Sequence, residues 1–213
     1  MRLGTYYRSL FLKLLGIKAD KSCVLDVGCF DAYWLSTQTA KERYALDIDI
    51  DKKYKNVIYV KASGLKIPFT DNKFNQVFAF DVIEHIPQDT EAKFFSELIR
   101  VTKPRGEITV TVPSKDIRVF PSFLTDWVSK RWGHTKYNGL SKKELENYLK
   151  KFNLNSYKLI EFQAQVYLKY YFFVRLLWKV NQEFSKNLVE KIALKDYQNM
   201  RGTKGYYIIR IIK

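Results

Sequence analysis

The sequence contains little cysteine and no long apolar run, and both shortages narrow the possible classes of protein. Only two of its 213 residues are cysteines, Cys23 and Cys29, and they form no CxxC pair. We therefore expect no disulfide framework, which fits a reducing, cytoplasmic compartment. No run of about 18 apolar residues occurs, and Lys13 interrupts the apolar N-terminal segment. We expect neither a membrane-spanning helix nor a signal peptide.

Acidic residues are also scarce relative to basic ones. The chain has 37 Lys+Arg against 22 Asp+Glu, which gives a formal net charge of +15. Such an excess favours anionic partners such as nucleic acid, a phospholipid surface or a phosphorylated substrate. A lysine-rich, solubilising surface would give the same balance. Hydrophobic residues make up 46% of the chain, so we expect a folded core rather than disorder.

Strand-like and helix-like segments alternate along the chain. A capping box at Ser141 and Glu144 marks the start of one helix, and no repeat or flexible linker interrupts the pattern. We therefore expect residues 1–213 to form one α/β domain with a parallel sheet and an N-terminal helix within 1–19. The predicted strands are 23–27, 44–47, 57–60, 76–80, 107–112, 157–162 and 206–212.

The first candidate ligand site is the turn after the first strand. Gly28 allows the backbone to approach a ligand closely, and the helix that follows would present free N–H groups. Asp47 ends the second strand about twenty residues later, where a carboxylate accepts hydrogen bonds from a ribose diol. Asp49 could take this role instead of Asp47. Alternatively, Asp47 is only a solvated acid in a loop. The turn reads GCFDAY rather than GxGxxG, which disfavours a nicotinamide dehydrogenase.

Four longer motifs follow one another over roughly residues 20–115. They are VLDVGC, ALDID, ASGLKIPFTDNKFNQVFAFDVIEHI and RVTKPRGEITVTVPS. Together they resemble the class I S-adenosylmethionine (SAM)-dependent methyltransferases, in the branch related to ubiquinone and menaquinone biosynthesis. The resemblance implies a Rossmann-like α/β fold with a seven-stranded, mostly parallel sheet, an antiparallel last strand and helices on both faces. It also implies SAM as the cofactor and S-adenosylhomocysteine as the product.

The resemblance also implies a role for each part of the cofactor site. The turn after the first strand and Asp81 would face the methionine part of SAM, and Asp47 would bind the ribose hydroxyls. Ile48 and the loop 63–65 would meet the adenine. The cofactor-binding residues implied in this way are Asp26, Gly28, Cys29, Phe30, Asp47, Ile48, Ser63, Gly64, Leu65 and Asp81.

Two residues of the first turn depart from the family pattern. Phe30 and Ala32 stand where the family usually has glycine. A bulky Phe30 narrows the turn and would hinder the carboxylate end of SAM. A catalytically silent SAM-binding or adaptor protein therefore stays an alternative to an enzyme.

The segment after the fourth strand carries the candidate catalytic residues. If it turns helically, Asp81, Glu84 and His85 share one face. His85, assisted by Glu84, could take a proton from an acceptor hydroxyl, or both could simply brace the loop. Together with His134 the three residues could also form a magnesium site. This arrangement resembles that of magnesium-dependent RNA-end and quinone methyltransferases, but we expect no metal.

Segments 115–140 and 163–204 are the expected acceptor side and contain aromatic residues among lysines and arginines. Residues 166–180 are predicted to form one amphipathic helix that covers the pocket. Such a helix could also pair with a second subunit, lie in a membrane interface or cover the core. We expect a small or amphiphilic acceptor (lipid-linked, quinone-like or glycan), methylated at oxygen, and peripheral contact with an anionic membrane. RNA is the alternative acceptor, because aromatic rings among cations also stack on bases.

Overall fold

Strands and helices alternate along the chain as the apolar pattern predicts. The computed structural model describes residues 2–50, 53–134, 139–151, 157–200 and 205–213. The strands are β1 (Cys23–Val27), β2 (Glu42–Asp47), β3 (Ile58–Lys61), β4 (Phe74–Phe80), β5 (Thr102–Pro113), β6 (Tyr157–Gln163) and β7 (Gly205–Ile212). The helices are α1 (Leu3–Leu14), α2 (Tyr33–Ser36), α3 (Glu91–Val101), α4 (Thr125–Trp132), α5 (Lys142–Lys151), α6 (Gln165–Lys169), α7 (Tyr171–Val180) and α8 (Gln182–Gln198). Short 3-10 turns lie at Ile83–His85 and Ser122–Leu124.

The strands of the described residues form one seven-stranded sheet in the order β3-β2-β1-β4-β5-β7-β6. β1 pairs in parallel with both β2 and β4, whereas β7 lies antiparallel between β5 and β6. This order confirms the expected Rossmann-like sheet, mostly parallel with an antiparallel last strand. Because strand order reverses at β1 and β4, a crevice opens at their carboxyl ends.

Alternate side chains of the central strands enter two apolar layers. On β4, Phe78 and Phe80 belong to the layer under α1, α2 and α6 to α8, whereas Val77 and Ala79 belong to the layer under α3 and α5. Strands covered on both faces read as continuous apolar runs, and β1 is buried along its whole length. The expected helices on both faces are thus confirmed.

The structure corrects the sequence prediction for residues 166–180. They form two helices, α6 and α7, which meet at Tyr170 with φ −102° and ψ 13°. The break leaves Tyr167 and Tyr171 both buried, with ring centroids 5.9 Å apart. One continuous helix was therefore a wrong prediction, because tertiary packing of these two rings sets the local backbone.

Other boundaries follow the sequence more closely. Ser141 N–H donates to Glu144 Oε2 at 2.8 Å and Glu144 N–H donates to Ser141 Oγ at 3.3 Å, which confirms the capping box. β5 begins at Thr102, earlier than predicted, because the strand continues through an irregularity opposite Phe74 and Gln76. Among the described residues no helix combines the length and the apolarity that a membrane span requires.

A buried carboxylate connects the N-terminal helix to the C-terminal helices. Asp196, on α8, is 1% exposed. It accepts hydrogen bonds from Tyr7 Oη at 2.8 Å, Val166 N at 2.7 Å and Tyr167 N at 3.0 Å. One side chain therefore fixes α1 and the start of α6 against α8.

The Asp196 contacts can be tested by unfolding. Asp196→Ala leaves three buried donors without their acceptor and should lower the free energy of unfolding by roughly 2–4 kcal/mol. Tyr7→Phe removes a single donor and should have a smaller effect. Asn187→Ala, at an exposed position of the same helix, is the control. The measurement is urea denaturation, and an Asp196→Ala protein as stable as the Asn187→Ala protein would contradict this role.

Candidate active site

A cleft of about 1140 Å³ lies at the carboxyl ends of the parallel strands. The last residues of β1, β2, β4 and β5 line it, and these residues are Val27, Asp47, Phe80 and Pro113. This is the edge where open parallel sheets bind their ligands. The opposite wall is supplied by α1, α4, α6 and α7.

The turn after β1 requires glycine at its first position. Gly28 has φ +72°, and its N–H donates to the Leu46 carbonyl at 2.7 Å. A Cβ at this position would lie 2.4 Å from Val82 Cγ2. The turn is therefore held from both sides, and only hydrogen on Cα leaves room for Val82.

Phe30 and Ala32 adopt the left-handed backbone conformation that favours glycine. Their φ values are +48° and +47°, in the left-handed region that costs roughly 1–2 kcal/mol for a residue with a side chain. The guanidinium carbon of Arg2 lies 3.5 Å from the centroid of the Phe30 ring, and both residues line the cleft. An arginine–aromatic pair therefore lines the cleft beside this turn.

Asp47 lies at the centre of the β2 edge of the cleft. Its Oδ2 accepts from Phe30 N–H at 2.7 Å and its Oδ1 accepts from Asp49 N–H at 3.0 Å. A carboxylate has about four lone-pair sites, so both oxygens can accept a further hydrogen bond. The position and the remaining acceptor capacity fit the predicted contact with a ribose diol.

The next residue and the 63–65 loop line the adjoining part of the cleft. Ile48 is 68% exposed, so its apolar side chain is open to contact with a ligand. Leu65 N–H donates to Ser63 Oγ at 3.2 Å and so closes a tight turn. A Cβ on Gly64 would lie 2.7 Å from Phe94 Cε2 and 2.9 Å from Val27 Cγ1. These positions leave an apolar ledge beside Asp47, as the adenine assignment requires.

Asp81 is paired with an arginine to which no sequence motif points. Arg8 Nη1, from α1, donates to Asp81 Oδ2 at 3.0 Å and to the Phe80 carbonyl at 3.2 Å. The Thr111 hydroxyl donates to Asp81 Oδ1 at 2.6 Å. Asp81 has φ +55° and lines the cleft together with Arg8. This pair places one negative and one positive group where the methionine part of SAM is expected.

Asp26 and Cys29 lie behind the cleft and do not line it. Asp26 is 4% exposed, and its Oδ1 has no hydrogen-bond partner within the described residues. Burial raises the pKa of Asp26 to about 7, although Arg8 lowers it. Burial likewise raises the pKa of the Cys29 thiol. A cofactor role for these two residues stays a prediction, and it would act through the shape of the turn.

Glu84, His85 and His134 come together beside Asp81. One ligand atom from each lies within 4.8 Å of the others. His85 Nδ1 lies 2.9 Å from the Gly133 carbonyl oxygen, and the two imidazole rings are 5.1 Å apart. Burial, and then His85, lower the pKa of His134 to about 4. Burial, followed by Asp81, raises the pKa of Glu84 well above its ordinary value.

The helical turn on which a shared face of Asp81, Glu84 and His85 depended is not formed at Asp81, although all three residues line the cleft. Asp81 precedes the 3-10 turn Ile83–His85 and has a left-handed backbone, so it turns to Arg8 instead. His134 follows Gly133, whose φ of +82° ends α4. The long-range meeting of α4 with the 83–85 turn therefore forms the cluster, rather than helical spacing.

The wall opposite the sheet is aromatic and cationic. Trp132 Nε1 donates to Tyr171 Oη at 3.1 Å, and Arg175 Nη1 lies 3.4 Å from the same oxygen. Trp132 also packs against His134, with ring centroids 5.6 Å apart. Trp178 and Lys179 extend this wall along α7. The predicted acceptor-side segments 115–140 and 163–204 thus supply this wall through their described residues, whereas 135–138 and 201–204 lie outside them.

The residues of the sheet edge fit SAM. Asp47 keeps acceptor capacity for a ribose, and Ile48 supplies an exposed apolar surface beside it. Polar contacts for the ribose, an apolar ledge for the adenine and the Arg8–Asp81 pair follow one another along one cleft. No comparable set for a dinucleotide phosphate occurs in the GCFDAY turn.

Comparisons with known proteins agree with this geometry. The fold is similar to a SAM-dependent methyltransferase of Thermotoga maritima, with a TM-score of 0.62 and 12% identity over 97% of this chain and 88% of that one. It is also similar to phosphoethanolamine N-methyltransferase 2 of Haemonchus contortus in complex with SAM, with a TM-score of 0.65 and 17% identity over 99% of this chain and 52% of that one. An uncharacterised protein of Methanocaldococcus jannaschii is 33% identical over 123 residues, 56% of this chain. The match spans about half of that relative, 52% of its length.

The fold and the cleft define the class of SAM-dependent, Rossmann-like methyltransferases, whose cofactor is SAM. A family model described as a methyltransferase domain matches residues 2–159, which is most of the chain. The chain therefore belongs to this methyltransferase family. The narrower branch, related to quinone biosynthesis, stays a prediction.

The ribose contact can be tested with two neighbouring carboxylates. Asp47→Asn removes the charge that would strengthen the hydrogen bonds to the ribose. A hydrogen bond to a charged group contributes on the order of 1.5–3 kcal/mol, so SAM affinity should fall roughly 10- to 100-fold. Asp49→Asn keeps the backbone N–H that donates to Asp47 and should change the affinity for SAM little. The measurement is calorimetric titration with SAM. Equal affinity of the two variants for SAM would mean that Asp47 only holds the turn and does not bind the ribose.

Proposed function

We propose that the protein transfers a methyl group from SAM to an oxygen of a small or amphiphilic acceptor bound against α4 and α7. One observation carries the proposal. A single cleft joins the Gly28 and Asp47 edge to the Trp132 and Tyr171 wall, and His85 lines the same cleft. The acceptor would be lipid-linked, quinone-like or a glycan, and segments 115–140 and 163–204 would bind it within one domain of 1–213.

The cofactor side would bind and orient SAM. When bound, SAM supplies an electrophilic methyl group on a sulfonium, which is already a good leaving group. Asp47 would hold the ribose and Ile48 the adenine. The Arg8–Asp81 pair would face the charged amino and carboxylate groups, with Arg8 suited to the carboxylate. The protein's main tasks are then alignment and exclusion of water.

His85 is the proposed base for an oxygen acceptor. The Gly133 carbonyl oxygen can only accept a hydrogen bond, so Nδ1 at 2.9 Å carries the proton. In this tautomer Nε2 carries the lone pair, so it is the atom that could take a proton from a hydroxyl. Glu84 would support His85 from the buried side of the same turn.

A metal-assisted version is the second candidate, because of the Glu84, His85 and His134 cluster. Two imidazole nitrogens and a carboxylate oxygen within 4.8 Å of one another form a donor set for a divalent cation. Neutral imidazoles and a carboxylate are the ligand forms that such an ion binds. In that version the cluster would position the acceptor oxygen through the ion, and Nε2 of His85 would not be a base.

The His85 assignment can be tested once a panel of acceptors yields a substrate. The panel contains a hydroxyquinone, a lipid-linked alcohol, phosphoethanolamine and a structured RNA, and formation of S-adenosylhomocysteine is measured. His85→Gln keeps an N–H donor for the Gly133 carbonyl but has no basic nitrogen. It should reduce turnover roughly 10²–10⁴-fold if His85 is the base.

Three further outcomes separate the alternatives. Full activity of His85→Gln would reduce His85 to a brace. Loss of wild-type activity in chelator, restored by Mg²⁺, would support the metal version. Methylation of phosphoethanolamine alone would favour a nitrogen acceptor, as in the similar Haemonchus enzyme named for that substrate.

A further inference from the structure

We infer that the outer surface of the α4–α7 wall is a docking face for anionic lipid bilayers. The face consists of exposed apolar residues from the 120–127 segment, from α7 and from the start of α8. They are Phe120, Phe123, Trp127, Phe173, Leu176, Val180 and Phe184. The inference rests on the proposed function for its biological sense, because it names the surface from which an amphiphilic acceptor would arrive.

Helix α7 is apolar on two opposite faces. Val174 and Trp178 point into the core at 0% and 5% exposure. Phe173, Leu176 and Val180, spaced i, i+3 and i+7, lie on the outer side at 57%, 62% and 78% exposure. Apolar helix faces are normally buried against another part of the protein. The outer face of α7 therefore lacks a covering layer among the described residues.

The 120–127 segment presents a second part of the same face. Phe123 is 80% exposed and Trp127 is 54% exposed. Trp127 shares one side of α4 with Lys130 and Arg131, at i, i+3 and i+4. A tryptophan beside basic residues is typical of segments that lie at a membrane–water interface.

Direct contacts join the two parts. Phe120 N–H donates to the Leu168 carbonyl at 3.1 Å, so the 120–127 segment lies against the end of α6. Further along, Trp132 of α4 donates to Tyr171 of α7 at 3.1 Å. Both ends of the 120–132 region are therefore tied to the α6–α7 region, so the two groups of exposed apolar side chains belong to elements in direct contact.

The elements that form this surface also carry exposed cations. Lys130 and Arg131 on α4 and Lys169 and Lys179 on α6 and α7 are all exposed, in a protein with a net charge of +15. The exposed acids of the same elements are Asp126, and Glu183 at the start of α8. An excess of basic residues around apolar ones complements a bilayer that contains anionic lipid.

The rim of the face coincides with the mouth of the cleft. Arg131 and Lys179 are exposed on α4 and α7 and also line the cleft, next to Trp132 and Arg175. An amphiphile whose tail stays in the bilayer could therefore reach the cleft with its head group between two basic side chains. This continuity favours a lipid surface over a partner that would merely cover an apolar patch.

The charge pattern also argues against a second copy of the chain as the occupant. In a two-fold dimer the same patch meets itself, so its excess of exposed cations would be brought together across the interface. Like charges brought together at an interface are unfavourable. An anionic bilayer satisfies the same cations without this repulsion.

The inference is tested by vesicle flotation of the full chain. Vesicles of phosphatidylcholine alone are compared with vesicles that also contain phosphatidylglycerol, at low and at high salt. We expect binding to the anionic vesicles at low salt, weakening as salt rises, and little binding to the neutral ones. Phe123→Ser/Leu176→Ser should reduce the partition coefficient roughly tenfold or more, because two apolar anchors are lost.

The matched control is Ile58→Ser/Ile212→Ser. These residues are 48% and 49% exposed and lie at the amino ends of the parallel strands, opposite the cleft. The control should bind vesicles as the wild type does. Lys130→Gln/Lys169→Gln, which changes cations outside the cleft lining, should weaken binding to anionic vesicles at low salt but have little effect at high salt.

Several results would overturn the inference. These are no flotation of the wild type at low salt, an equal loss in the Ile58→Ser/Ile212→Ser control, or a dimer in light scattering that Phe123→Ser/Leu176→Ser dissociates. SAM titration of the same variants separates this inference from the proposed function. Intact SAM binding without vesicle binding rejects the docking face alone, whereas vesicle binding without SAM binding rejects the methyltransferase proposal alone.

Discussion

Strand order is the constraint on which the site depends. Because β1 lies between β2 and β4, the sheet opens at their carboxyl ends, and the turn after β1 stands in that opening. Gly28 is held there by the Leu46 carbonyl on one side and by Val82 on the other. The turn in turn presents Phe30 N–H to Asp47. The cofactor edge is thus formed largely by backbone geometry, and few side chains take part in it.

The acceptor wall depends on polar contacts between distant parts of the chain. Arg8 reaches Asp81 across 73 residues, and Asp196 reaches Tyr7 across 189. Both pairs anchor α1, one to the end of β4 and the other to α8. Buried polar groups are stable only when their partners are in place, so these pairs fix the position of α1, which forms part of the wall opposite the sheet. The cleft therefore has a defined width although its walls come from opposite ends of the sequence.

Much of the sheet could be predicted from the sequence because parallel strands covered on both faces read as short apolar runs. β1 matches its predicted bounds, and the capping box at Ser141 marks α5. The break at Tyr170 could not be predicted, since no proline or glycine marks it and the burial of Tyr167 and Tyr171 decides it. Local sequence patterns therefore predict helices and strands well, but they do not predict a break that tertiary packing imposes.

The same difference separates the two sides of the site. Gly28 and Asp47 could be found because each stands at the end of a recognisable strand. Arg8 carries no local signal, since its function depends on a contact with Asp81. The meeting of His134 with Glu84 and His85 likewise depends on how α4 packs. The contacts of α1 and α4 with the sheet edge join residues far apart in the sequence, so they cannot be predicted from sequence spacing.

The central claim is that the Gly28 and Asp47 edge binds SAM. Calorimetric titration of the wild-type protein with SAM, S-adenosylhomocysteine and NAD tests it most directly. We expect one saturable site for SAM and for S-adenosylhomocysteine, competition between the two, and no heat of binding with NAD. Absence of binding at millimolar SAM, or preferential binding of NAD, would contradict the account.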